Sequence, residues 1–415
     1  MTAEADENPE PGQASDRYVW LLISAFIAMA LLGLVLPIGD DSDQVATADT
    51  TDDTSDEVSD DGDNQTTSDD TGASSGEGAA DTLSERFTIS ASGDIIIHGR
   101  VAEAAESGDT YDFRPLFANV KPLIESVDFA ICHLESPLSS TNTDLSFRNA
   151  FRAPTQVADA LKDTGFDSCS LASNHAYDSG ESSVTSTIDQ LTRVGLPHVG
   201  IAADFEQADK LWQFQIGETL VGHLAYTYGI NARDAADVPA HQVARIDEAK
   251  ILADAARQRA IGSEFIIVSM HWGTEFSPEL TDQQASLGPR LLASADIDLI
   301  VSHSAHVVQR VDEIDGEYIA YGLGNLLSNQ SSAAPECPEA CTLESQDGVL
   351  LEFTVDRRPD GSLGVVDVFA RPTWVDVGGT WEIFDTEAVP ISGAAFDDAT
   401  LTGSAERTLT ALQLP

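Results

Sequence analysis

Residues 265–275 read FIIVSMHWGTE, a mainly apolar run of six that stops at His271. A run this short, with β-branched residues and a glycine just beyond it, reads as a buried strand rather than a helix. Four other segments have the same form. Residues 87–92 lead into Gly93-Asp94, 129–134 into Glu135, 168–172 into Asn174-His175, and 299–302 into His303 and His306. Amphipathic helical patterns fall between them, at 113–126, 155–164, 184–194, 247–259 and 281–293. Alternation of this kind predicts α/β architecture. Later the texture turns to hairpins. Asp315-Gly316 marks a tight turn before 318–321, and Pro359-Asp360-Gly361 joins 349–355 to 363–369. The expectation is a mixed α/β domain with an antiparallel portion.

The chemistry collects at the strand ends. Ligand sites in α/β sheets lie outside the carboxyl ends of strands, so segments distant in sequence converge there. Asp94, Glu135, Asn174, His175, His271, His303 and His306 mix carboxylate, amide and imidazole groups. That mixture suits Mn, Fe or Zn better than Mg or Ca, which prefer oxygen alone. The donors exceed what one tetrahedral ion requires, and a two-metal site bridged by one carboxylate accounts for the number. His198 and His223 sit in apolar, strand-like surroundings and read as core residues. The turn at 322–324, with glycine at both ends, is too short for a dinucleotide fingerprint; it lets the backbone pass close to the site.

At these residues the chain resembles a known family. The segments are GDIIIH (93–98), HLESPL (133–138), FRAP (151–154), LASNHAYDSG (171–180), HWGTEF (271–276), SHSAHVVQ (302–309) and YGLGN (321–325). In this order and spacing they resemble the CapA, or poly-γ-glutamate capsule synthesis, proteins of the calcineurin-like metallophosphoesterase superfamily. The resemblance implies a four-layer αββα sandwich of two sheets flanked by helices. It also implies metal-ligand roles for Asp94, Glu135, Asn174, His271, His303 and His306, holding two divalent transition-metal ions (Mn, Fe or Zn). His175 becomes the acid, or the group stabilising charge on a transferring phosphoryl, with Asp178 orienting it. Three departures stand out. His133 replaces the Asn of the usual Asn-Leu-Glu. Ser302, Ser304 and Ala305 interrupt the usual Gly-His-His-Pro-His. The superfamily's Asp-x-His opening is absent, with His98 four residues after Asp94. His98 and His133 are therefore candidates for an additional ligand or for a supporting role behind one. The implied substrate is an anionic surface polymer or a phosphoester, with capsule synthesis machinery as partner. Two function classes follow: a metal-dependent hydrolase, or a non-catalytic polymer assembly or export factor with a structural metal.

Composition frames the rest. The chain has 415 residues, 70 acidic against 21 basic side chains, and a formal charge of −49. So acidic a protein lacks the basic face that nucleic acid demands. With 42 % apolar residues it is not disordered throughout, and four Cys cannot be its main staple. Residues 1–17 form a polar tail. Residues 18–38 (YVWLLISAFIAMALLGLVLPI) carry no charge, and as a helix they would be about 30 Å long, enough to cross a membrane. The run is longer than a signal-peptide core, and acids from Asp40 precede the small residues Ala46-Thr47-Ala48, so it reads as an uncleaved anchor. Arg17 places the tail in the cytoplasm and the domain outside, in a single-pass cell-membrane arrangement. Residues 39–85 are an acidic linker: 40–85 hold sixteen Asp or Glu and no Lys or Arg, a composition expected to stay disordered. The folded domain is expected over 86–385, followed by a C-terminal extension, 386–415, able to pack on it. Cys337 and Cys341 suit a local disulfide; Cys132 and Cys169 are inert thiols or, if neighbours, a second bridge.

Overall fold

Inward-facing apolar residues at every second position bring two β-sheets face to face in a computed structural model that describes residues 86–231, 236–334, 340–387 and 398–414. The expected tail, membrane span and acidic linker lie outside those residues, as does Cys337. Among the described residues no helix is long and apolar enough to cross a membrane.

The chain enters the first sheet with β1 (Phe87–Ile95), β2 (Phe129–Leu134), β3 (Ser168–Ser170) and β4 (His198–Val199). It then builds the second from β5 (Trp212–Ile216), β6 (Thr219–Thr227), β7 (Phe265–His271), β8 (Leu299–His303), β9 (Val311–Ile314) and β10 (Glu317–Ala320). Four strands return to the first sheet: β11 (Asn325–Leu327), β12 (Asp347–Arg357), β13 (Leu363–Val375) and β14 (Ile383–Asp385). The first sheet runs β14-β13-β12-β1-β2-β3-β4 with β11 also on β1; the second runs β9-β10-β8-β7-β6-β5. The hairpin expected at 349–369 is β12 and β13, longer at both ends. The β5/β6 hairpin was not expected, because Gly222 and His223 interrupt the apolar run of β6.

Between the sheets lie Phe87, Ile89, Phe129, Ile131, Phe265, Ile267, Leu299, Val301, Leu351 and Phe353, the alternate residues of their strands. On the far side of the first sheet, Ala130, Cys132 and Leu134 meet Val157 and Leu161 of the helix Gln156–Thr164. On the far side of the second, Ile266, Val268 and Ile300 meet Ile251 of Glu248–Ala260 and Leu291 of Asp282–Leu292. The layers are therefore helix, sheet, sheet, helix. Asp247 caps one of these helices, and Thr281 with Gln284 forms a capping box on another. The helix expected over 113–126 is two short pieces, Arg114–Phe117 and Lys121–Ile124. Pro115 and Pro122 each fit a first helical turn, and in a single helix over 113–126 Pro122 would remove an interior hydrogen bond.

One irregularity in β1 matters for function. Strict alternation inward from Phe87, Ile89 and Ala91 would turn Asp94 outward. Instead Ala91 pairs with Ile131 and Asp94 with His133, three residues on β1 against two on β2. This bulge re-aims Asp94 into the space between the sheets. Gly93 makes it fit: a Cβ there would stand 2.5 Å from Gly324 O, and Asp94 N donates to that same carbonyl at 2.9 Å. The glycine turn at 322–324 does pass its backbone against the site.

After the hairpin, the helix Asp398–Leu412 packs on β12 and β13. Arg407 clasps Asp347 through two hydrogen bonds of 2.7 and 2.8 Å, and Ser404 donates a third at 2.7 Å.

Candidate metal centre

Residues in register on neighbouring strands point to the same face. In the first sheet Asn325, Asp94, His133 and Ser170 stand side by side on β11, β1, β2 and β3. In the second, Thr227, His271 and His303 do so on β6, β7 and β8. Apart from Asn325, which opens β11, both rows lie at the carboxyl ends of their strands, and they face each other. A polar layer separates them from the apolar core: His223 bridges the sheets, 3.0 Å from Ser168 Oγ and 2.8 Å from Ser269 Oγ. Loops complete the set. Glu135 follows β2, with its N–H donating to Ile95 O at 3.1 Å; Asn174-His175 lies in the turn after β3, and Ser304–His306 after β8.

The side chains interlock. His306 Nδ1 is 3.0 Å from Asp94 Oδ2 and 3.2 Å from Asn325 Oδ1, while Ser304 N–H donates to Asp94 Oδ2 at 3.0 Å. Ser304 and His306 hold φ of 88° and 56°, left-handed conformations that cost non-glycine residues on the order of 1–3 kcal/mol each and cluster at functional sites. His133 Nε2 lies 3.0 Å from His271 Nδ1, and His271 Nε2 lies 3.0 Å from Asn174 Oδ1. Three overlapping triads have all their ligand atoms within 4.8 Å of one another: Asp94–His133–His303, His133–Glu135–His271 and Asp94–Glu135–His306, every member buried.

Unpaired polar atoms test whether these residues fit a metal. Asp94 Oδ1, Glu135 Oε2 and both ring nitrogens of His303 are buried without a hydrogen-bond partner. His303 Nδ1 is 3.3 Å from Asp94 Oδ1, yet the two lack hydrogen-bond geometry. Each such orphan costs about 1–3 kcal/mol, so orphans on Asp94, Glu135 and His303, all members of these overlapping triads, mark a place for cations. Carboxylate oxygen with imidazole nitrogen is a donor set for Mn, Fe or Zn. The residues fit.

Charge follows the same geometry. Burial pushes Asp94 upward, but His303 and His306 outweigh it and hold the carboxyl well below its usual range. Burial dominates at Glu135 and raises it to about 7. At His306 burial opposes charge, yet Glu135 and Asp94 lift it to about 9. Burial drives His133 and His271 far below the ordinary imidazole value, so both are neutral.

His175 stands apart from the triads. Its Nδ1 is 2.7 Å from Asp178 Oδ2, which also accepts from Phe151 N–H at 2.6 Å, and its Nε2 is 3.9 Å from Glu135 Oε1. The Phe151 ring meets it edge-on at 4.7 Å. Burial lowers its pKa, but Asp178 and Glu135 raise it more, leaving it above the ordinary value.

The structure thus brings together Asp94, Glu135, Asn174, His271, His303 and His306, with His133 among them. His98 is not in any triad: its Nδ1 accepts from Asn329 N–H at 3.2 Å and its ring abuts Phe151. Burial, then His306 and His175, press it down to about 3. Asn325 and Phe151 stand inside the quoted segments, but nothing in the sequence gave them a role. Ser170, Tyr228 and Asn231 carry no sequence signal. The exposed Tyr228 lies parallel to His271 at 5.9 Å, and Asn231 N–H donates to Asn174 O at 2.8 Å.

Two sheets flanked by helices thus carry a carboxylate–imidazole cluster at their strand ends. The profile of the bacterial capsule synthesis protein PGA_cap matches residues 88–330, more than half of the chain, and the chain belongs to that family. It is 26 % identical over 254 residues to the capsule biosynthesis protein CapA of Bacillus anthracis, covering 59 % of this chain and 61 % of that protein. Over 300 residues it is 26 % identical to the PGA biosynthesis protein CapA of Bacillus subtilis (strain 168), covering 69 % and 72 %. Among solved structures, the calcineurin-like phosphoesterase YfkN from Bacillus subtilis aligns with TM-score 0.41 and 14 % identity, over 79 % of this chain and 97 % of that one. The NAD nucleotidase of Haemophilus influenzae aligns with TM-score 0.42 and 12 % identity, over 80 % and 64 %.

Proposed function

We propose that the protein is a membrane-anchored, extracytoplasmic hydrolase that uses two divalent metal ions in the biosynthesis, anchoring or processing of a capsule-type anionic polymer. The observation that carries this reading is that Asp94, Glu135 and His303, each with a buried polar atom lacking a hydrogen-bond partner, belong to overlapping triads of metal-ligating side chains. Asp94, Glu135, Asn174, His271, His303 and His306 would hold the ions; Asp94 and Glu135 each belong to two of the triads. Bound divalent metal supplies Lewis-acid activation of water and of the oxygens of a tetrahedral substrate centre. The chain's own groups do the rest. Asp178 accepts from His175 Nδ1 and fixes the ring, leaving Nε2 to face the site. The raised pKa favours the protonated ring, whose Nε2–H can be donated to a departing oxygen. Phe151 walls the imidazole on one side.

The extracytoplasmic placement draws on the uncharged run at 18–38 and on the cysteines. Cys132 is bridged to Cys169 and Cys341 is also disulfide-bonded, which suits an oxidising compartment. The test is turnover of a phosphodiester panel by the purified full-length protein. Turnover should vanish with chelator and return with Mn²⁺ or Zn²⁺. Metal uptake with no turnover on any member would favour the non-catalytic assembly role.

A further inference from the structure

His133 lies within two of the three triads. Proximity alone would make it a seventh ligand. The direction of its nitrogens says otherwise. Nδ1 is 2.7 Å from Ser170 Oγ and Nε2 is 3.0 Å from His271 Nδ1; beyond that, His271 Nε2 is 3.0 Å from Asn174 Oδ1. Ser170, His133, His271 and Asn174 form one continuous chain.

The protons along that chain can be placed if Asn174 and His271 are ligands, so the inference rests on the metal reading above. A ligating imidazole is neutral and carries its one proton on the nitrogen turned away from the ion. Asn174 Oδ1 lies 3.0 Å from His271 Nε2, so Nε2 is the nitrogen that would face an ion the two residues share. His271 then bears its proton on Nδ1 and donates it to His133 Nε2. With Nε2 accepting, His133 bears its own proton on Nδ1 and donates to Ser170 Oγ. Neither nitrogen of His133 is left for metal.

We propose that His133 is a positioning residue that accepts the Nδ1–H of His271 and is itself anchored by Ser170, so that the first sheet orients a metal ligand of the second. A partner behind a ligating histidine fixes its ring and raises its basicity. Such partners are commonly carboxylates or carbonyls; here an imidazole serves. The foundation is stiff. His133 and Ser170 are an in-register pair, and one residue before them the in-register pair Cys132 and Cys169 is bridged, with Cα atoms 4.5 Å apart. The ring of His303 lies against that of His133, 4.1 Å away and 11° from parallel.

Co²⁺ titration of the full-length protein, with X-ray absorption to count imidazoles per ion, tests this. His133→Leu should keep the number of ions and the imidazole count but lose about 10–100-fold in affinity. His133→Gln, whose side-chain oxygen can accept where Nε2 did, should recover most of that loss, and Ser170→Ala should show a smaller loss of the same kind. Should His133→Leu fail to fold, the wild-type count decides: three imidazoles over the two ions fit the proposal, and four overturn it. An ion or an imidazole lost in His133→Leu would make it a ligand, and unchanged affinity would make it a bystander; either overturns the proposal alone. A wild type that takes up no Co²⁺ overturns it together with the metal reading.

Discussion

His175 and Asp178 are the pair on which the proposed proton transfer depends. Both stand in LASNHAYDSG, three residues apart, and the contact between them is 2.7 Å. That Asp178 is itself held by Phe151 N–H was invisible, because the bond spans 27 residues. His175→Ala is expected to keep its metal content while turnover falls roughly a hundredfold or more, the usual reach of one general acid. Metal analysis beside kinetics separates this from a ligand role, which would lose both. The pH profile gives a second check. The imidazole is raised because Asp178 and Glu135 favour its protonated form against burial. Asp178→Asn removes one of those contributions, so the acid deprotonates at lower pH. The alkaline limb of the rate profile should move toward acid, and an unmoved limb would assign the proton donor elsewhere.

At the scale of elements, eight of the strands and four of the longer helices were legible, since each is an apolar run, a hairpin arm or a helical stripe of its own. The bulge in β1 was not. FTISASGDI alternates well enough to suggest a plain strand, yet plain alternation would bury Asp94 on the wrong face. What makes the extra residue fit is the close passage of Gly324, more than 200 residues away, and no local pattern encodes it. Gly93→Ala tests the device. Its Cβ would meet Gly324 O and Leu323 O at 2.5 and 2.8 Å, backbone atoms that cannot swing aside. A loss of about 1–3 kcal/mol in stability is expected, with weaker metal binding because Asp94 is displaced. Wild-type melting and wild-type metal affinity in that variant would mean the bulge does not set the aim of Asp94. The broken helix near Pro122 and the missed β5/β6 hairpin have local causes: prolines in one, a polar-interrupted strand in the other.

Across the whole molecule, composition argues against a nucleic-acid partner and against disorder throughout but says little about how the sheets meet. Their junction beneath the site is His223, legible as a core histidine though its link to Ser168 and Ser269 was not. Burial, then His303, pushes it from 6.5 down to about 3. Between those values the unfolded chain binds a proton that the folded chain refuses, so stability rises with pH over that window and is complete above about 6.5. Each unit within it is worth about 1.4 kcal/mol at most. His223→Gln keeps groups able to reach both serines and removes the titration; its melting temperature should vary less than wild type between pH 4 and 6.5, and an identical slope would place the acid sensitivity elsewhere. The most direct measurement concerns the centre that both sheets converge to build. Elemental analysis of full-length protein purified without chelator should find about two equivalents of Mn, Fe or Zn per chain. In His271→Ala that number should fall while the protein stays folded. A folded wild type that neither contains these metals nor takes them up would contradict the assignment of Asp94, Glu135, Asn174, His271, His303 and His306 as a metal site.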